Sequence, residues 1–105
     1  PPAELEGLLV SHPDVDDVAV LGIYNEDQAT EVPRAYVVPK NGVPGTPETA
    51  KKIADWLAGK VAGHKRLRGG VKFIDVIPKT ASGKILRRVL KQQAEAEEKK
   101  VKAKL

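Results

Sequence analysis

The sequence predicts an α+β domain, a small sheet with an antiparallel strand pair flanked by about three helices in the order α-β-β-α-β-α. Three observations carry this. Two β-branched apolar runs, "VDDVAVLGI" (15–23) and "RAYVV" (34–38), are joined by a polar stretch too short for a crossover helix, so they pair antiparallel. A stretch with apolar residues at helical spacing follows them. A third apolar run, "VKFIDVI" (71–77), ends at Pro78 and gives way to a basic, amphipathic C-terminal stretch.

The first helix lies in "PPAELEGLLVSHP", where prolines suit the entry, Leu5, Leu8 and Leu9 form a stripe, and His12-Pro13 stops it. Asp16-Asp17, at the start of the first strand, read as edge solvation. After the strand pair, "NGVPG" (41–45) is a turn. Thr46 then caps a helix with Pro47 at its first position and Glu48 in its first turn. Ala50, Ile53, Ala54, Leu57 and Val61 supply its buried face, with Trp56 beside them. "GHKRLRGG" (63–70) is a basic loop, in which Gly69-Gly70 read as turn geometry because no helix start follows. The last helix is expected to begin near Gly83–Lys84 and to bury Ile85, Leu86, Val89 and Leu90. That phase leaves Arg87 and Arg88 on its outer side. Glu95/Lys99 and Glu98/Lys102 are i, i+4 pairs that suit a solvated continuation.

Composition narrows the function classes. The 105 residues suffice for one domain with a modest core, and 41% apolar with 30% charged residues is a globular balance. There is no cysteine, hence no disulfide framework or thiolate metal site. No apolar run approaches the roughly 20 residues of a membrane span, and no signal peptide is visible. His12 and His64 are not at metal-ligand spacing and read as surface residues, and no Ser/His/Asp set or metal cluster is present. The opening "PPAELE", without an initiator Met, reads as the start of an excised domain. Net charge is only +4, but Val76 to Ala94 holds no acidic residue while Lys79, Lys84, Arg87, Arg88 and Lys91 fall there. Such a stretch favours a polyanionic partner. The alternative is a solvated helix face.

"PKTASGKILRR" (78–88) resembles the C-terminal signature motif of the adenylate-forming enzymes, which include acyl-CoA synthetases, coumarate-CoA-ligase-like enzymes, peptide-synthetase adenylation domains and luciferases. "PPAELEGLLVSHPDVDDVAVLGI", "EVPRAYVV" and "HKRLRGGVKFIDVIPKTASGKILRRVL" resemble the small C-terminal domain of acyl-CoA ligases in the same order, so the likeness covers most of residues 1–91. Within that superfamily "GKILRRVL" is similar to CoA ligases, whereas peptide-synthetase domains more often carry "GKVDR".

The resemblance implies a two-step reaction. A carboxylate attacks the α-phosphate of ATP to give an acyl-adenylate and pyrophosphate, and CoA then displaces AMP. Lys84 matches the family's adenylation lysine, swung over the active site of a larger N-terminal domain, with Thr80, Ser82 and Gly83 forming the loop at the nucleotide. Chemistry agrees, because an ammonium in a partly dry site stabilises the charge that builds as two anions react. The small "TASG" residues let the backbone approach closely. Lys65, Arg66 and Arg68, with Arg87 and Arg88, are candidates for CoA-phosphate or interdomain contacts. Residues 1–91 are then the mobile lid and 92–105 a charged helical tail. ATP and CoA are substrates of the full-length enzyme, and Mg²⁺ arrives with ATP on the larger domain. The fragment alone is expected to be inactive and to bind nucleotide very weakly. The acid's specificity pocket lies outside it.

Three alternatives stand beside this. Lys84 is a solvated first-turn residue. The chain is a small basic nucleic-acid-binding domain, against which stand only 4% aromatics, scattered as Tyr24, Tyr36, Trp56 and Phe73. Or it is the lid of a luciferase-like enzyme that does not use CoA. Finally, Ala103, Lys104 and Leu105 come close to the S-K-L peroxisomal address. This predicts a peroxisomal, eukaryotic protein with the import receptor as a partner. Otherwise the protein is cytoplasmic and the tripeptide an accidental end to a charged helix.

Overall fold

The computed structural model describes residues 2–104, so Pro1 of the predicted first helix and Leu105 of the predicted address lie outside the described residues. Its elements are α1 (Pro2–Leu9), β1 (Val15–Asn25), β2 (Thr30–Pro39), α2 (Pro47–Ala58), β3 (Val71–Phe73) and α3 (Arg87–Ala103), the predicted order. β1 and β2 pair antiparallel, from Val18 opposite Val37 to Asn25 opposite Thr30. β3 lies parallel to β2 on its other side, and α2 is the crossover that this requires. The strand pair runs longer than predicted, because polar residues carry the ladder as far as Asn25 and Thr30. β3 is shorter. After Phe73 the Ile74 N–H still donates to Val37 O at 2.9 Å, and the chain then leaves the sheet.

The apolar run of β1 is continuous because both faces of the strand are covered. Val18 and Val20 point into a core with Leu5, Leu9, Val37, Ile53 and Leu57, beneath α1 and α2. Ala19 and Leu21, one residue out of step, meet Tyr36, Ile77 and Leu90 on the opposite face. α2 forms as its cap predicts. The Thr46 hydroxyl accepts the Thr49 N–H at 3.3 Å, Pro47 opens the helix, and Ile53 and Leu57 are fully buried.

α3 corrects the expectation in two ways. It begins at Arg87, not at Gly83–Lys84, while its continuation past residue 91 is as expected. Of the four side chains expected inside, only Leu90 is buried. Ile85 is half-buried, while Leu86 and Val89 are 36% and 37% exposed. The residues just before the helix belong to a loop with its own pairing, so they do not follow helical phase. Glu98 turns to Arg34 of β2 at 2.7 Å, and this hydrogen bond holds its carboxyl below the usual carboxylate range, with Lys102 a minor influence. Among the described residues no helix is long and apolar enough to cross a membrane.

His12, expected at the surface, is 3% exposed. Its ring meets Trp56 edge-on with centroids 5.0 Å apart, and its Nδ1 accepts the Asp14 N–H at 3.0 Å. Burial lowers its pKa below the ordinary 6.5, Asp14 opposing this and Lys52 adding to it. The folded state therefore resists a proton that the unfolded chain accepts. Stability from this site is complete above the unfolded value and is lost as pH falls from there toward the lowered folded value. His12→Asn supplies another acceptor for the Asp14 N–H and does not titrate. Urea midpoints at about pH 7.5 and about pH 5.5 should therefore differ less in this variant than in the native domain. Equal differences would refute the assignment.

Candidate functional site

Between Pro78 and Leu86 the chain folds back on itself. Lys79 and Ile85 form an antiparallel bridge, and the Leu86 N–H donates to Pro78 O at 2.9 Å. Thr80 organises the tip. Its N–H donates to Lys84 O at 2.9 Å, its carbonyl accepts the Gly83 N–H at 2.9 Å, and its hydroxyl accepts the Lys84 N–H at 3.0 Å. The Ser82 hydroxyl lies 3.0 Å from that of Thr80. Thr80, Ser82 and Gly83 are thus brought together around the backbone of Lys84, at a place the sequence assigned to a helix start. The Lys84 side chain is exposed, and among the described residues no carboxylate pairs with it.

Gly83 has φ 91°, a left-handed backbone, and a Cβ there would meet nothing within 4 Å. The cost of Gly83→Ala is then conformational, about 1–2 kcal/mol. It should open the tip, so that the Lys84 amide exchanges about tenfold faster while α2 amides keep their protection. Unchanged exchange at Lys84 would show that the loop does not depend on this geometry.

Both feet of the loop stand on β1. The Lys79 ammonium reaches Asp17 Oδ2 at 2.5 Å. Arg87, expected on the outer side of its helix, turns back toward α1 and holds both carboxylate oxygens of Glu6, Nη2 lying 2.9 Å from Oε1. Its Nη1 also donates to Val20 O at 3.0 Å, while Glu6 Oε2 accepts the Val20 N–H at 2.8 Å. β1 is one of the sheet's two outer strands, and the Val20 groups that bond Glu6 and Arg87 face away from β2, where partners must come from elsewhere. The bonds to Glu6 raise the Arg87 pKa further. Sequence reasoning missed Glu6. Its partner is 81 residues away, and nothing local distinguishes it from Glu4.

The basic loop 63–70 is pinned by the buried Leu67 and contains a single 3₁₀ turn, Gly63–Lys65. Lys65 holds Glu4 at 3.1 Å, so α1 carries one ion pair to this loop and another to the first residue of α3. Arg68 reaches Gly63 O at 3.5 Å, and Arg66 and Arg88 are exposed. Gly69-Gly70 is turn geometry, as expected. A Cβ on Gly69 would come within 2.9 Å of Pro33 O, and Gly70 has φ 84°. His64 is exposed, as are Ala103 and Lys104 at the end of α3. Among the described residues no three His, Cys, Asp or Glu side chains could hold a metal ion. What the arrangement offers chemically, among the described residues, is the free ammonium of Lys84 on a hydrogen-bonded loop, able to stabilise an anion presented from outside the domain.

Comparison with known proteins places this geometry in context. The family model described as the AMP-binding enzyme C-terminal domain matches residues 4–84. An acyl-CoA ligase of Aspergillus niger is 48% identical over 89 residues, which are 85% of this chain and 16% of that protein. The luciferin 4-monooxygenase of Luciola mingrelica is 45% identical over 92 residues, 88% of this chain and 16% of that protein. The crystal structure of Brucella canis acyl-CoA synthetase superposes with a TM-score of 0.80 at 36% identity, covering 91% of this chain and 18% of that one. The chain therefore spans about a sixth of the length of the curated relatives it matches.

Proposed function

This chain belongs to the family of AMP-binding enzyme C-terminal domains, and from that premise we propose that it is the mobile lid of an ATP-dependent acid–CoA ligase. The overall reaction is carboxylate, ATP and CoA to acyl-CoA, AMP and pyrophosphate. The observation that carries the reading is Lys84, a solvent-facing ammonium without a carboxylate partner among the described residues, on a loop braced by its own hydrogen bonds. In the first step it neutralises charge at the α-phosphate as the carboxylate attacks. In the second step the domain turns so that the thiol can occupy the space the lysine held. The partner is the chain's own larger N-terminal domain, on which ATP binds. Mg²⁺ belongs there with the ATP phosphates, since among the described residues no three His, Cys, Asp or Glu side chains gather here to hold it. Residues 1–91 form the lid and 92–105 its helical tail. Arg66, Arg68 and Arg88 are the stronger candidates for CoA phosphates or the partner domain, because Lys65 and Arg87 already hold carboxylates.

The test is to supply the full-length protein with ATP, Mg²⁺ and a panel of carboxylic acids, with and without CoA. Pyrophosphate release together with a CoA thioester supports the reading. Its absence with every acid overturns it. The likeness to a luciferin monooxygenase favours a second reading, an adenylating enzyme that does not use CoA. That reading requires pyrophosphate release with no thioester. For localisation we propose the peroxisome, addressed by Ala103, Lys104 and Leu105. A fluorescent fusion that leaves the C-terminus free should lose its punctate distribution when Leu105 is removed.

A further inference from the structure

We infer that Glu6 and Arg87 are positioning residues for Lys84, fixing the base of its loop to the middle of β1. The inference rests on the reading of Lys84 as the adenylation lysine. A lysine side chain is long and mobile, so the domain can control only where its backbone stands. Thr80 settles the tip of the loop, but a well-formed tip on a loose base would still miss its target. Three residues after Lys84, Arg87 makes a two-pronged bond to Glu6 and a further bond to Val20 O, while Glu6 accepts the Val20 N–H. The Glu6 side chain is only 12% exposed, so its carboxylate leans on Arg87 more than a surface pair would. On the leading side Lys79 is tied to Asp17. The two attachment points, Asp17 and Val20, lie about 10 Å apart along one strand. That strand is itself laddered to β2.

The other anchors do not fix the first turn of α3 in angle: Ile85 and Ala94 are only partly buried against the second core, and the Glu98–Arg34 pair lies about three turns further along. α3 has one buried side chain, Leu90, and without the Glu6 clamp its first turn could rock about that anchor and carry Lys84 with it. The two ties differ in kind. Lys79 and Asp17 form a single monodentate bond with both side chains about a third exposed, whereas Glu6 and Arg87 form a forked pair fixed in angle as well as distance.

The test uses the full-length enzyme and five variants: Arg87→Ala, Arg87→Lys, Glu6→Gln, Lys84→Ala, and Arg87→Ala combined with Lys84→Ala. Glu6→Gln keeps an oxygen for the Val20 N–H but loses the charge and one prong of the fork, since an amide NH2 cannot accept from Arg87, so it remains informative should Arg87→Ala fail to fold. For Arg87→Ala and Glu6→Gln the expected result is a loss of about tenfold or more in kcat for adenylate formation, with the KM values for ATP and acid little changed. Thioester formation from supplied acyl-adenylate should stay near native. Added to Lys84→Ala, Arg87→Ala should produce no further loss, because it acts through the residue already removed. Arg87→Lys, which keeps the charge but not the fork, should recover only part of the rate. A folded Glu6→Gln variant with native adenylation kcat overturns the inference. So does a further loss when Arg87→Ala is added to Lys84→Ala. If Lys84→Ala itself leaves adenylation intact, the reading of Lys84 falls and the inference with it. That outcome is distinct from one in which only the Glu6 and Arg87 variants behave like native enzyme.

Discussion

Replacing Lys84 with alanine in the full-length enzyme is expected to slow adenylate formation by about 100- to 1000-fold, the cost of removing one preorganised donor from a developing negative charge. Thioester formation from supplied acyl-adenylate should stay within about twofold of native. The asymmetry follows from charge. In the first step an anionic carboxylate meets an anionic phosphate, and an ammonium between them lowers the barrier. In the second step of the proposed reaction the phosphate leaves as AMP from an adenylate already formed, and the proposed turn of the domain takes the lysine aside. Lys84→Arg should recover little of the rate, since a planar guanidinium is larger and spreads its charge. Each half-reaction is measured separately, pyrophosphate release for the first and thioester for the second. Equal losses in both, or none in either, would remove Lys84 from the reaction.

Leu90→Ala is expected to cost about 2–5 kcal/mol, the range for emptying a fully buried leucine site. The effect should be concentrated in one part of the molecule. Leu90 is the only buried side chain of α3, and it plugs the face of the sheet that holds Ala19, Leu21, Tyr36 and Ile77. The other face, beneath α1 and α2, has its own core. Amide exchange should therefore rise across α3 before it rises in α2. Retained protection in α3 would show that the Glu98–Arg34 and Arg87–Glu6 pairs hold the helix unaided.

Most of the architecture was legible because its causes are local. Thr46, Pro47 and Glu48 announce α2 within three residues, and the β-branched runs announce their strands. The clustering of Thr80, Ser82, Gly83 and Lys84 was legible through its resemblance to a motif. Where α3 begins was not legible. Ile85 and Leu86 continue a helical apolar phase in sequence, yet Ile85 is taken by its bridge to Lys79 and the Gly83 backbone is left-handed. Nor were the contacts that close over distance. His12, in the turn after α1, meets Trp56 of α2, Glu98 is drawn 64 residues back to Arg34, and Arg87 is drawn 81 residues back to Glu6. Each of these polar side chains looks solvated in its own neighbourhood. Only the folded chain supplies the partner.

The side chains along β1 have a consequence for the company this domain keeps. A bare outer strand is a template on which another chain can add a strand of its own, the usual route to edge-to-edge aggregation. Here the Val18 N–H is taken by the Asp17 carboxylate, and both backbone groups of Val20 are taken by Glu6 and Arg87. The edge is stoppered by charge instead of being covered by another element. A lid that leaves its partner domain on every turnover would expose its flanks repeatedly to crowded surroundings. With the Val18 N–H and both Val20 groups taken, that stretch of β1 would be closed to a neighbour's strand.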